Sequence, residues 1–516
     1  MKSQSHGPTR KILLIAGAVG IVAIILIAIF QIRLPGEIRR RIVSSLEAHF
    51  ASTVEIQRFH VIVFPRIYVS AEGIVLRHKG RTDVPPLITI EKLTLSADLI
   101  SLLRSPKRVA SVHLDGLQIH VPPRSNGEPH ADAEIATAVA IPAVVDVLTS
   151  DNVLLEILPN ENDRLPRDFI IHRLVMTSVD FDRTSPFHAI VANSAPPGDV
   201  DSDGQFGPWN AGDPGESPLS ATFRLPTADL ASIPGLSGIL SATGKYGGVL
   251  SRIEVDGHTE TPRFALQSVG NIVPLTTHYL ATVDGANGTT LLNLVEAHLP
   301  HSTITSSGEV TGMPGVAGRQ VRFEVDSQDA RVEDFLRLAV KGEPPMRGTV
   351  GLHLKLDVAA GDTPLMDRLS LDGRFGVAGA TLTSSNKQTK LDLLSRSGQG
   401  QPKNEEIQNV ISNLRGRFFL RKGRLTFSNL TFSVPGASVE LSGTYNVRAD
   451  DIDLHGHLIL DVKLSQATTG TKSVLLMFAD SFFKKAGGGS SVPIRVTGSR
   501  MNPIFSLDLH KPVFQR

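Results

Sequence analysis

The sequence predicts a mainly β protein held behind a single N-terminal membrane-spanning helix. Three observations carry this prediction. Apolar and polar residues alternate with period two through most of the chain, as in Val61-Ile62-Val63, Leu93-Thr94-Leu95, Val439-Glu440-Leu441 and Leu458–Leu464. That is the pattern of strands with one apolar face. The runs end at turn formers, such as Val121-Pro122-Pro123 and Asp284-Gly285-Ala286-Asn287-Gly288, so successive strands are expected to pair antiparallel through short connections. Ahead of this pattern, Ile12–Phe30 carries no charge, and the uncharged run continues to Ile32. At ~1.5 Å rise per residue such a run matches a hydrocarbon core of about 30 Å.

Taken in order, the first element is the anchor, with Ile12, Leu13, Leu14, Ile15, Ile21, Ile24, Ile25, Leu26, Ile27, Ile29 and Phe30 as its apolar residues. Its exit, Ile29-Phe30-Gln31-Ile32-Arg33, has no small-x-small cleavage site, so the span is expected to stay attached. Lys2, Arg10 and Lys11 precede it, whereas Arg33, Arg39, Arg40 and Arg41 follow. Charge alone therefore does not orient it. Gly36–Phe50 reads as a helix, because Ile38, Ile42, Leu46 and Phe50 recur on one face beside the arginines. That stripe suits either packing on the body or lying on anionic headgroups. Further helices are expected at 132–149, 329–341, 404–414 and 472–486. In the second of these, Val332, Phe335, Leu336 and Ala339 form one stripe.

This divides the chain into a head (1–11), a span (12–32), a basic amphipathic helix (33–50) and an N-terminal β region (51–130). A helix-plus-β region (131–200), central β repeats carrying the helix 329–341 (201–395) and a C-terminal region (396–516) follow.

Composition mainly excludes functions. The chain has 516 residues, 41% apolar and 20% charged, which is neither disordered nor wholly membrane-embedded. Its 52 basic and 51 acidic residues give a net charge of +1, so no general nucleic-acid-binding surface is expected. Cysteine is absent, and disulfides, cysteine zinc sites and thiol chemistry go with it.

Repetition supports one extended β body over unrelated globular units. Gly244, Gly308, Gly373 and Gly443 lie in similar local sequence and recur at 64- to 70-residue intervals. Ile253–Leu266 and Ile494–Leu507 both read I-x-V-x-G-x4-P-x-F-x-L. Alternation cannot separate a dry two-sheet sandwich from a trough with an open apolar face. Aromatic residues are only 5%, with Trp209 the single tryptophan, and aliphatic walls suit a sliding acyl chain better than a small polar ligand. Val439, Leu441, Leu458, Leu460, Val462 and Leu464 are the candidates for such a wall. If the face is an open groove, Leu460→Glu is expected to block lipid without necessarily unfolding the sheet, whereas a closed sandwich would be destabilised by the buried charge. Leu475, Leu476, Phe478, Phe482 and Phe483 form the apolar surface of the expected terminal helix, suited to core packing or to docking.

No catalytic constellation emerges. Ser384-Ser385-Asn386-Lys387 matches S-x-x-K, but the partner motifs of that chemistry do not follow, and it reads as a polar turn. His455 and His457 share a strand face near Asp451 and Asp453. Two imidazoles and a carboxylate can hold a metal, but without an evident third ligand they read as a solvent-facing row.

Several ordered segments resemble the AsmA-like family of bacterial envelope proteins. Near the C-terminus these are Gly443-Thr444-Tyr445, Ile452-Asp453-Leu454-His455-Gly456, Phe482-Phe483-Lys484-Lys485, Val492-Pro493-Ile494-Arg495-Val496-Thr497-Gly498 and Pro503-Ile504-Phe505-Ser506-Leu507-Asp508-Leu509. Phe206-Gly207-Pro208-Trp209, Arg331–Lys341 and Phe64-Pro65-Arg66 agree in the middle and at the start. Ser481 departs from the pattern, where relatives often carry proline. The resemblance implies an elongated, curled antiparallel sheet with a taco-like groove, like that of the bridge-type lipid transfer proteins TamB and YhdP. It implies an inner-membrane anchor with a cytoplasmic N-terminus, a periplasmic body, phospholipid as partner, no catalytic residues and no cofactor. Its alternative implication is a non-enzymatic assembly factor for outer-membrane proteins. At roughly 15–20 residues per strand and turn, the body would supply about 25–30 strands, on the order of 120–140 Å of sheet.

Overall fold

The computed structural model describes residues 36–37, 39–62, 66–98, 107–123, 143–161, 164–267, 271–468, 488–499 and 502–508. These form one 25-stranded sheet, from Ser52–Ile62 at one edge to Pro503–Leu507 at the other. Strands that follow one another in the chain pair antiparallel almost throughout, as the short turns predict.

One connection breaks the antiparallel rule. Ala143–Ile157 runs parallel to Lys107–Asp115 and Gln118–Val121. Those two short strands share Ile88–Ala97 as their partner on the other side, so they act as one strand interrupted near Gly116. A parallel pair needs a crossover of a dozen or more residues, and residues 122–142 separate the two. The helix expected over 132–149 is corrected accordingly: its last residues begin the strand Ala143–Ile157, whose Val144, Val145 and Val147 are β-branched residues that favour a pleated surface. Its earlier residues, from 132, lie outside the described ones.

Register shows how the two faces differ. The pairings Val325↔Leu354, Leu354↔Gly373, Gly373↔Phe418 and Phe418↔Phe427 carry one row across five strands. Phe427↔Gly443, Gly443↔Leu454, Leu454↔Val496 and Val496↔Phe505 carry it to the far edge. Every member is apolar or glycine. The opposite face is charged. Arg322 pairs with Glu309 at 2.9 Å and Asp357 at 3.5 Å, His353 with Asp326 at 2.7 Å, and Arg495 with Asp453 at 2.9 Å. Exposed pairs of this kind contribute about 0–1 kcal/mol each, so they mark the hydrated face more than they stabilise it.

The ladder also coils back on itself. Arg167, on the strand Arg167–Val179, donates to Thr290 Oγ1 at 2.7 Å on Thr289–Leu299. Asn160 N donates to Ala286 O at 2.8 Å, and a methyl group placed on Gly312 would meet Leu165 at 2.8 Å. A flat sheet would keep strands seven positions apart on the order of 34 Å from each other, so the contacts require a tight coil here.

Helices cover the ends of strands. Residues 39–50 are helical. Val43, Leu46 and Phe50 pack on the cluster containing Ile74, Leu76 and Leu87, and Phe50 meets Phe181 and Trp209 at 5.1 and 5.3 Å. Leu46 and Phe50 of the expected stripe thus pack on the body. The helix Val332–Ala339 matches its expected position within 329–341.

The helix expected over 404–414 is corrected. Asn409 has φ 53°, a left-handed conformation that stops a helix, and the strand Ser412–Arg421 begins shortly after. The apolar spacing that suggested a helix is split: Val410 packs beneath a neighbouring helix while Leu414 joins the sheet face opposite Val377. That neighbouring helix is Ser385–Gly398, so Ser384-Ser385-Asn386-Lys387 opens a helix and is not a polar turn. Asp392 anchors it, being 6% exposed and accepting from Gln388 Nε2 and the amides of Asn409 and Val410.

Asp334 anchors the helix Val332–Ala339 in a similar way. It is fully buried and accepts from His301 N and Ser302 Oγ, both at 2.8 Å. Asp334→Ala leaves the buried Ser302 hydroxyl and the His301 amide without their acceptor and should cost about 2 kcal/mol. Urea unfolding of the variant checks this, and a loss under ~1 kcal/mol would show that water replaces the carboxylate.

Candidate functional site

The charged face and the apolar face meet different surroundings. Where the sheet coils, the apolar face encloses a cavity of about 360 Å³. Its wall is contributed strand after strand: Val200, Phe223, Leu225, Leu240, Ala242, Tyr279, Leu292 and Val295, with Thr259, Asn193 and Pro196 as the polar and turn residues. Side chains from the strands Pro197–Phe206 through Thr289–Leu299 can face one void only if the sheet between them is concave.

Glycine and aromatic residues shape this surface. A methyl group placed on Gly257 would meet the Tyr279 ring at 2.5 Å, and one on Gly373 would meet the Phe418 ring at 2.6 Å. Gly308 lies beneath Phe323 and Gly416 beneath Phe375 in the same manner. Each ring thus lies across a glycine of the adjacent strand, a device that lets an aromatic group cover the backbone. The result is a smooth aliphatic and aromatic floor with few hydrogen-bonding groups. Burial raises the phenol pKa of both Tyr246 and Tyr279, keeping them neutral.

The four repeated glycines, Gly244, Gly308, Gly373 and Gly443, all lie within strands. Register places the latter three among apolar partners on the same face, and Gly244 pairs with Gly257. The longer sequence match does not mark one structure. Ile253–Leu266 lies in a single strand with a register shift between Thr261 and Phe264, whereas Ile494–Leu507 folds into a hairpin.

The predicted wall residues divide in two. Val439, Leu441 and Leu458 lie half-buried on the apolar face, with Val439 directly opposite Leu458. Leu460 is 3% exposed and belongs to a cluster with Val434, Ala437 and Val410, against which Leu391, Leu394, Val462 and Leu464 pack. The helix Ser385–Gly398 covers that end of the sheet. Of the two expectations for Leu460→Glu, the destabilising one applies at this position, since the charge would enter a closed cluster. The predicted anchor residues Ile12–Phe30 and terminal-helix residues Leu475–Phe483 lie outside the described residues. Among the described residues, no helix is long and apolar enough to cross a membrane.

His455 and His457 occupy the hydrated face, opposite Ser442 and Glu440. Asp453 is engaged by Arg495 at 2.9 Å, so they do not gather as a metal centre. The described residues do bring together two other donor sets that sequence reading missed, Asp256 with His258 and His278, and His188 with Asp201 and Asp203. Cross-strand register assembles both, and no sequence spacing signals them. Asp256 takes a hydrogen bond from His278 at 2.9 Å and pairs with Lys245 at 3.4 Å. The His278 bond, followed by Lys245, holds its carboxyl below the usual carboxylate range.

Two cationic side chains also lie on the apolar face. Arg167 shares the face of Phe169 and Ile171, and Arg319 that of Val321 and Phe323. Neither was singled out from sequence, where each reads as an ordinary charge at a strand end. No protein-family model, no characterised protein and no solved structure matches the chain.

Proposed function

We propose that this protein binds phospholipid acyl chains along its concave apolar face, as an inner-membrane-anchored periplasmic component of lipid transport and outer-membrane homeostasis, without catalysing a reaction. The single observation that carries the reading is the unbroken apolar register from Val325 through Leu354, Phe418 and Leu454 to Phe505, on a sheet whose other face is laced with ion pairs. An acyl chain needs apolar contact repeated along its length and no fixed polar anchor. A row in which each strand offers an equivalent apolar step supplies this, and moving between equivalent steps changes little buried area. The coil around the cavity of about 360 Å³ removes the chain from water. The localisation rests on the uncharged run Ile12–Ile32 and the family resemblance.

The test is direct. Full-length protein extracted in mild detergent should carry co-purifying phospholipid in native mass spectrometry. After delipidation it should take up a lipid with a fluorescent acyl chain saturably. Protein that retains none and takes up none ends this reading.

The second reading, a non-enzymatic assembly factor for outer-membrane proteins, has one observation in its favour. Among the described residues, Pro503–Leu507 pairs on one side only, with Phe505 70% and Leu507 55% exposed, and such an edge can accept a client strand. Crosslinks from position 505 to barrel precursors, in protein that takes up no lipid, would favour it.

A further inference from the structure

We propose that Arg167 and Arg319 form a binding site for a phosphate group at one rim of the apolar trough, and that the phosphate is the headgroup of a bound lipid. The proposal rests on the acyl-chain reading above and adds to it the chemical class of the headgroup and where it sits.

The position comes first. Arg319 begins the strand Arg319–Arg331 and lies opposite Gly312. Arg167 Nη2 reaches Thr290 Oγ1 at 2.7 Å and the Val310 carbonyl at 3.4 Å. Thr290 is two residues from Leu292 of the cavity wall on the same face. Thr290, which holds the Arg167 guanidinium, is therefore one same-face step along the strand, about 7 Å, from the surface proposed to hold the chain.

Their electrostatics come next. Arg167 is 9% exposed. Its Nε and the Nη1 of Arg319 are both buried without a hydrogen-bond partner. Neither guanidinium forms an ion pair among the described residues. Burial, and then the like charge of Arg319, push the Arg167 pKa down to about 10, with Asp168 opposing them only as the third influence. Asp168 is exposed and, by strand alternation, lies on the other face.

A folded chain rarely brings a buried guanidinium beside a half-buried one with a buried donor of each left unused, because desolvated charge without a partner is costly. An anion with several acceptor oxygens would remove both costs. Guanidinium is the side chain best shaped for phosphate, offering parallel N–H donors. A carboxylate from the protein would make this an ordinary structural pair, and none pairs with either guanidinium among the described residues. An amphiphile with an apolar tail and a phosphate head matches the apolar wall and the cationic end together.

The experiment compares two lipids with the same fluorescent acyl chain, a phosphatidic acid and a diacylglycerol, on delipidated full-length protein. The intact protein should bind the phosphatidic acid at least about tenfold more tightly. Arg319→Gln should bring the ratio to about one while keeping the strand signal in circular dichroism, and Arg319→Lys should keep most of the preference. Inorganic phosphate alone should show no saturable binding below the millimolar range. Equal uptake of both lipids by the intact protein, or an unchanged preference in Arg319→Gln, overturns the site while leaving the trough reading in place. Micromolar binding of inorganic phosphate that is lost in Arg319→Gln assigns the site to free phosphate and overturns the headgroup. Uptake of neither lipid overturns the trough reading and the headgroup with it.

Discussion

Leu292→Glu should abolish uptake of an acyl lipid while lowering stability by only about 1 kcal/mol, whereas Leu460→Glu should cost about 4 kcal/mol or prevent folding. Both leucines belong to the apolar face of the same sheet. They differ in what covers them. Leu292 is half-buried in the wall of the cavity, so a carboxylate there can keep water and disturbs only what enters. Leu460 is 3% exposed under the helix Ser385–Gly398, where a carboxylate has neither water nor a partner. Melting temperature and lipid uptake, measured on both variants, check this. If the two destabilise equally, the cavity is a dry core and not a trough. If Leu292→Glu binds lipid normally, the chain follows another path.

Gly308→Val should destabilise the sheet by about 3 kcal/mol and also obstruct the trough. A side chain there would run into the Arg322 carbonyl and the Phe323 backbone, with the Phe323 ring 2.9 Å away. Backbone cannot swing aside as a flexible side chain can, so the two strands would have to separate locally. Phe323 sits in the row Gly308↔Phe323↔Leu356, and displacing its ring would raise the floor of the apolar face. Urea unfolding gives the stability term. A cost below ~1 kcal/mol would mean that the strands part freely at this point and that the glycine is not required for their approach.

Much of the strand content was legible because alternation with period two is local. Val439, Leu441 and Leu458 could be assigned to one face from their spacing alone, and register confirms that they share it. The helix Val332–Ala339 was legible for the same reason, since its stripe is contained in its own residues. Residues 404–414 misled because Ile407, Val410, Ile411 and Leu414 have helical spacing, yet Asn409 turns the chain between them and they join different layers. The helix Ser385–Gly398 was missed because it buries polar residues, Gln388, Asp392 and Ser395, and buried polar groups leave no apolar stripe to read. The arginine pair and the metal-donor sets were illegible for a third reason. Arg167 and Arg319 are 152 positions apart, and only the coil of the ladder brings their strands together.

By itself, then, the sequence determined that most of the body is strand, which face of many of those strands is apolar, and that an uncharged run long enough to span a membrane precedes them. These properties follow from the side-chain period and from length, and neither needs a distant partner. Only the tertiary structure decided that the apolar face is concave around a cavity, that one of its ends is sealed beneath a helix, and that two guanidiniums without an ion pair among the described residues lie at another rim. Those depend on accumulated twist, bulges and contacts between strands far apart in the chain. No single strand carries the sign or size of that sum in its own residues.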